Sequence, residues 1–279
     1  MILPFSSVSP DKIAEKVSNE TILRACHYLD VGNKELLEKL ANYSLVITGT
    51  IGAGKSTVCE SVIYILKSIL PELNLLTYPE FLYVNNNHLS GRLLSEKINN
   101  GISSNTFQSY VLDNWWHIMN QNNNQKGFRL FERCIDDCVV CFCNMENKKH
   151  KISDIQLMSL YEELKLLVSK FDVPSYFEAS PTRSNSHFTK IISSDLNYNL
   201  QTIFSIISAD LHNGINNRII GLYIDSETSK SRIIKRSRTG ETGYSDEQIA
   251  EYTKHYKKLF NMLDKGKRIS RFVDLGQLL

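Results

Sequence analysis

The chain has 279 residues, 42% of them apolar and 22% charged, with a net charge of +2. That length suits one large α/β domain or two small ones with an ample core, and the balanced charge gives no footprint of a nucleic-acid binder. No apolar run approaches 18 residues, which argues against a membrane-spanning helix, and the short apolar start with early acidic residues fits neither a signal nor a transit peptide.

In chain order, Ser9-Pro10 reads as an N-cap followed by proline at the first helical position, and Asn33 as the cap of a helix that turns Leu36, Leu37 and Leu40 to one face. Residues 1–43 are therefore expected to form a helical N-terminal extension of short helices ahead of a main domain at 44–279. The run SLVIT is a short β-rich segment, and VCESVIYILKSIL after it carries Val58, Val62, Ile65, Leu66 and Ile69 at helical spacing. Between them lies Gly49-Thr50-Ile51-Gly52-Ala53-Gly54-Lys55-Ser56-Thr57, which satisfies the phosphate-loop pattern in full. A strand passing into a helix through a glycine turn aims several backbone N–H groups and the helix N-terminus at one spot, where phosphate is attracted. Lys55 is expected to reach the outer phosphates of ATP, and the Ser56 hydroxyl to bind Mg²⁺.

Further apolar runs end near Glu80, Arg133, Asp225 and Leu275, with helical stretches between them. This alternation predicts an α/β fold of the phosphate-loop type, three layers deep, with a parallel sheet and helices on both faces. Ligands of such sheets bind beyond the carboxyl ends of the strands, so Glu80, Glu132 and Arg133 should converge on the phosphate loop. The asparagine patches at 85–87 and 122–124 read as loops. Cys134, Cys138, Cys141 and Cys143 cluster in CIDDCVVCFC. Cys138 and Cys141 have zinc-ligand spacing, but no second well-spaced pair follows, and buried structural thiols are the preferred reading. Six cysteines without a secretion signal imply reduced thiols and a cytoplasmic compartment. Arg232 and Arg236 share a helical face, and Arg238 follows ahead of a glycine-bounded TGETG segment. A basic segment of this kind fits an arginine-rich lid that closes over phosphates.

The loop GTIGAGKST, Pro79-Glu80, FQSYV at 107–111, FERC at 131–134 and RIIKRSRTGE at 232–241 occur in a fixed order. In that order and spacing the chain resembles the deoxyribonucleoside kinases, the family of the cellular enzymes and the herpesviral-type thymidine kinases. The resemblance runs over residues 44–275 with gaps. It implies an ATP- and Mg²⁺-dependent transfer of phosphate to a deoxynucleoside 5′-hydroxyl, and a homodimer. Glu80 would be the base that takes the hydroxyl proton, Glu132 would help hold Mg²⁺, and Arg133 would steady Glu80 and the phosphates. Gln108 would pair with the edge of the base, between Phe142 on one side and Val111 on the other. Arg232, Arg236 and Arg238 would grip the donor phosphates, and Glu241 would reach the sugar hydroxyls.

Three departures stand out. Asn85 occupies the place of a usual tryptophan, the tyrosine that contacts the sugar 3′-hydroxyl has no counterpart among residues 92–103, and an insertion at about 174–216 matches poorly. It includes the apolar helix candidate LNYNLQTIFSIISADL. An arginine–aspartate pair beside the base marks members selective for deoxycytidine and purines; here Trp115 and Cys138 fall on those positions, which favours thymidine or other pyrimidine deoxynucleosides. A nucleoside monophosphate kinase shares the loop and lid, but its strand usually ends in an Asp-Arg pair followed by an aromatic, where Glu132-Arg133-Cys134 stands here. A GTPase would need an Asp-x-x-Gly switch and an Asn-Lys-x-Asp base reader. A non-catalytic nucleotide-binding protein with a degenerate kinase fold is the alternative from another class.

Overall fold

A computed structural model describes residues 10–30, 32–80, 88–99, 101–123, 125–177, 186–236 and 243–269. Five strands, β1 (Ser44–Gly49), β2 (Leu75–Tyr78), β3 (Phe128–Glu132), β4 (His187–Ile191) and β5 (Asn217–Leu222), form one sheet in the order β2-β3-β1-β5-β4. Every pairing in it is parallel. Side chains alternate across a strand, and each face here is covered by helices, so the central strands are apolar at nearly every position. Leu45, Ile47, Leu130, Ile220 and Leu222 enter one core layer; Val46, Leu76, Phe131 and Ile219 enter the other.

The first layer is closed by α1 (Pro10–Ala14), α2 (Asn19–Tyr28), α3 (Lys34–Leu40), α4 (Lys55–Ile69) and α9 (Leu196–His212). Pro10 opens α1 as expected, while Ser9 lies outside the described residues. The Asn33 side chain caps α3 by accepting from the N–H groups of Glu35 and Leu36. The N-terminal helices pack on α4 and α9, and the 174–216 segment supplies both α9 and the edge strand β4. Buried Tyr43 ties these parts together: its hydroxyl donates to Asp210 Oδ2, which also takes a 2.8 Å bond from Arg218 Nε on β5.

The second layer holds α6 (Ser104–Asn122), a π-helix (Cys138–Cys143), α8 (Asp154–Phe171) and α11 (Asp246–Asp264). The remaining helices are α5 (His88–Ile98), α7 (Asn144–Lys148) and α10 (Ser226–Arg236). Two expectations need correcting. Asn122 is not in a loop but is the last residue of α6, buried against the core, because the helix runs on until Asn123 ends it. Strand β4 was not foreseen at all. The expected strand near Leu275 and the Asn85–Asn87 patch lie outside the described residues. None of the described helices is long and apolar enough to cross a membrane.

Candidate active site

The phosphate loop leaves β1 at Gly49, where φ is +142° and a Cβ would stand 1.9 Å from the Leu222 carbonyl oxygen of β5. Glycine is required there by both backbone and neighbour. Gly52 and Gly54 also have positive φ, and Gly54 caps α4. Thr50 serves the sheet: its N–H donates to Leu222 O and its Oγ1 accepts from the Ile224 N–H, each at 3.2 Å. The Ile51 carbonyl accepts from Ser229 Oγ at 2.6 Å and the Gly52 carbonyl from Arg232 Nη1 at 3.2 Å, so α10 is fastened to the loop. Lys55 is buried, with its ammonium donating to the carbonyls of Gly49 and Thr50 at 3.4 and 3.2 Å. Burial, and next the nearby Arg133, pull its pKa below the ordinary lysine value.

One cleft of about 910 Å³, open to solvent, begins at this loop. Ile51, Gly52, Gly54, Lys55 and Ser56 line one end together with Glu80, Glu132, Arg133 and Arg236. Gln108, Val111, Trp115, Cys138 and Phe142 line the same space. The strand ends thus bring Glu80, Glu132 and Arg133 to the phosphate loop, although the sequence separates these side chains by up to 82 positions. Ala53, Thr57 and Arg232 lie on the outer side of the loop, in a neighbouring groove with Lys16, Asn199 and Lys235. Arg236 borders both spaces. Arg238 and Glu241 fall outside the described residues.

Arg133 follows β3 directly and adopts φ +78°, an uncommon conformation for a non-glycine residue, fixed by its N–H bond to Ile47 O at 2.8 Å. This turn swings the guanidinium into the cleft. Its Nε donates to Glu80 Oε1 at 2.8 Å, its Nη1 to the Tyr256 hydroxyl at 2.7 Å and more weakly to Asp137 at 3.4 Å. Its carbon centre lies 5.1 Å from the Phe142 ring centroid, in cation–π range. Asp137 is itself held by Thr48 Oγ1 at 2.6 Å and the Tyr176 hydroxyl at 2.7 Å. The Asp137, Tyr176 and Tyr256 contacts were not read from the sequence. Asp137 stands beside a second aspartate, Asp136, Tyr256 lies among charged residues of α11, and Tyr176 is far along the chain, so nothing in their local patterns singles them out as partners of Arg133.

Glu132 ends β3 under the loop, where Ser56 Oγ donates to its Oε1 at 2.6 Å. Its Oε2 is buried and has no hydrogen-bond partner among the described residues. Burial first, and then Glu80, raise its pKa well above the usual carboxylate range. A buried carboxylate with one unused oxygen beside a hydroxyl is a hard-oxygen donor set, and it fits a small divalent cation that takes its other ligands from water and phosphate.

At the other end, the Gln108 amide makes no hydrogen bond to a described residue and faces the cleft. Cys138 Sγ donates to Ile135 O at 3.1 Å, so its thiol proton is already used. Cys134 and Cys141 likewise donate to Asp136 and Asp137, and burial pushes all these thiols up in pKa. The reading as buried structural thiols describes them well, although the segment winds as a π-helix and Cys134 precedes it. Trp115 is buried against Phe131. Phe142 is half-buried, between the Arg133 guanidinium and the Tyr252 ring.

Fold and site together define a phosphate-loop nucleotide-binding protein. A model of the deoxynucleoside kinase family matches residues 45–190, more than half of the chain, and the chain belongs to that family. Two similar solved structures are both of deoxyadenosine kinase from M. mycoides. The one with bound dATP has 16% identity and a TM-score of 0.47, over 83% of this chain and 91% of that one. The one with bound dCTP has 14% identity and a TM-score of 0.48, over 84% and 95%. No curated protein matches the sequence.

Proposed function

We propose that the protein transfers the γ-phosphoryl group of ATP to the 5′-hydroxyl of a deoxynucleoside, with thymidine and other pyrimidine deoxynucleosides favoured. The observation that carries this reading is the meeting of Glu80 and Arg133 with the phosphate loop in one cleft whose far end holds an amide, Gln108, with no partner among the described residues. The acceptor hydroxyl gives its proton to Glu80, a new bond forms from O5′ to the γ-phosphorus, and the bond to the β–γ bridging oxygen breaks to release ADP. Arg133 orients the Glu80 carboxylate through Nε, while Lys55, Arg232 and Arg236 supply positive charge around the phosphates. Mg²⁺ bound at Ser56 and Glu132 would neutralise charge on the donor phosphates.

Base preference rests on the far end. The Gln108 amide offers an acceptor for a thymine N3–H and a donor for its O4. Val111, Trp115 and the spent thiol of Cys138 leave an apolar wall for the 5-methyl group, which is worth on the order of 1–3 kcal/mol. The test is ADP release from ATP and Mg²⁺ with thymidine, deoxycytidine, deoxyadenosine, deoxyguanosine and thymidine monophosphate supplied separately, beside a Glu80→Ala variant. Thymidine-dependent turnover that collapses in the variant is the expected result. Turnover with the monophosphate alone would move the acceptor to a nucleotide, and deoxyadenosine as the best acceptor would overturn the reading of Trp115 and Cys138.

A further inference from the structure

A second charged pair lies in the cleft, away from the phosphates. Lys97, in the last turn of α5, lines it beside Leu94, Phe107 and Tyr244. Its ammonium donates to Glu146 Oε1 at 2.9 Å, and the two side chains are 7% and 2% exposed. Glu146, from α7, also accepts from Ser104 Oγ at 3.0 Å and from the Tyr252 hydroxyl at 3.4 Å. Burial alone would raise the Glu146 pKa, but Lys97, then Lys151 at 3.9 Å and the Ser104 hydroxyl, outweigh it and hold the group below its ordinary value. Glu146 is therefore a firmly held anion, and it fixes where the ammonium sits. An ammonium has three donors; one goes to Glu146, and no other described residue takes the remaining two. Tyr252, which anchors Glu146, also packs on Phe142 with ring centroids 5.3 Å apart, so the pair sits on the Phe142 side of the cleft.

A buried polar group that is not hydrogen-bonded costs free energy, so the spare donors call for an acceptor in whatever fills the cleft. With the base at Gln108 and O5′ at Glu80, a deoxynucleoside has one hydroxyl left, at the 3′ carbon. We infer that Lys97, held by Glu146, Ser104 and Tyr252, donates a hydrogen bond to the 3′-oxygen of the acceptor sugar and makes that hydroxyl a requirement for binding. The inference rests on the reading of the cleft as a deoxynucleoside site. It answers the missing tyrosine of residues 92–103 with a different chemistry, in which a cation steadied by a buried carboxylate takes the place of a phenol. Lys97 touches the substrate; Glu146, Ser104 and Tyr252 are positioning residues.

The test compares thymidine with 3′-deoxythymidine, and deoxyadenosine with 2′,3′-dideoxyadenosine, as acceptors and in equilibrium dialysis. A site built to bond a hydroxyl rejects the analogue lacking it strongly, so the parent enzyme should favour the hydroxylated member of each pair by about 100-fold or more in kcat/KM. In Lys97→Met that ratio should fall to within about 3-fold of unity, through loss of the hydroxylated substrate alone, with ATP affinity unchanged. Because Lys97→Met leaves the buried Glu146 with only the more distant Lys151 to balance its charge, Lys97→Met/Glu146→Gln is made beside it, and the ratio is read from whichever variant folds. A parent enzyme that accepts both members of each pair equally overturns the inference, as does a variant that loses both equally. If the parent binds nucleosides without turning them over, the kinase reading fails while the dialysis ratio still decides the role of Lys97. Binding of no nucleoside at all sinks both.

Discussion

Helix α11 reaches Arg133 through one atom, and that atom can be removed alone. The Tyr256 hydroxyl lies 2.7 Å from Arg133 Nη1, and the ring is fully buried, edge-on to Phe260 at 5.4 Å between centroids. Tyr256→Phe keeps the ring and deletes the oxygen, so packing changes little. The loss is a hydrogen bond to a charged donor, worth about 1.5–3 kcal/mol. On that nitrogen the acceptor left among the described residues is Asp137 at 3.4 Å, too far to compensate fully. At roughly 2–4 °C per kcal/mol for a domain near this size, a loss of about 2 kcal/mol lowers Tm by about 4–8 °C. Nε of Arg133 still holds Glu80, but the guanidinium plane is less constrained, and small misplacements of reacting groups are costly. We expect kcat to fall by about 10-fold with the deoxynucleoside KM within about 2-fold. Thermal unfolding followed by circular dichroism and steady-state ADP release measure the two effects. If both Tm and kcat stay at parent values, α11 has no part in aligning Arg133, and Glu80 and Asp137 hold it unaided.

Three further perturbations follow from the same geometry. Asp136 is fully buried with Oδ1 unpartnered among the described residues, and burial pushes its carboxyl up to about 7 despite bonds from the Tyr176 N–H and Ser175 Oγ. A folded-state value above the unfolded one contributes stability that is full at low pH and is lost as pH rises from about 4 to about 7; Asp136→Asn should therefore gain about 1–2 kcal/mol at pH 8 in urea unfolding and little at pH 4, and a loss at pH 8 would contradict this. Gly49→Ala must push its Cβ off the Leu222 carbonyl and should cost more than about 3 kcal/mol, whereas Gly54→Ala meets nothing nearer than Arg232 Nη1 at 4.0 Å and bears mainly the backbone strain of φ +86°, about 1–2 kcal/mol. Equal denaturation midpoints for the two would rule out the strand contact as the cause. Finally, the raised Glu132 carboxyl must ionise to hold Mg²⁺, so at pH 6 Mg·ATP should release more protons on binding than ATP alone and its affinity should rise with pH; calorimetry in buffers of different ionisation enthalpy measures this, and no difference between the two ligands would refute it.

The parts of this protein that could be read from its sequence are those written in consecutive residues. The phosphate loop, the Asn33 cap and the apolar strands ending at Glu80 and Arg133 each carry their signal within about ten positions, and strand-end logic then placed Glu80, Glu132 and Arg133 together. The parts that could not be read depend on distant single residues or on departures from regular periods. Strand β4, HFTKI, lies at the sheet edge with one buried residue, so it lacks the continuous apolar run that marks β1 and β5. CVVCFC is apolar on all sides, and a π-helix shifts its periodicity away from the helical one. The positive φ of Arg133 has no sequence signature, yet it decides where the guanidinium points. Lys97 and Glu146 are ordinary charges in a helical pattern until the fold buries them against each other.

The way the site is divided among elements bears on how it could change. Lys55 and Ser56 open α4 across the loop from β1, Glu132 and Arg133 stand at the end of β3, and Arg133 is tied through Asp137 to Thr48 of β1 and through Tyr256 to α11. Moving any of these groups means moving the sheet, which close packing resists. The groups lining the rest of the cleft come instead from helices: Gln108, Val111 and Trp115 from α6, Lys97 from α5, and Cys138 and Phe142 from the π-helix. A substitution on α5 or α6 can reshape the acceptor end while leaving the loop and strand ends in register. Acceptor choice and phosphoryl transfer are therefore separable: changes at Lys97, Trp115 or Cys138 should alter the ranking of nucleosides with Mg·ATP affinity preserved, and changes at Glu132 or Lys55 should weaken Mg·ATP without altering that ranking.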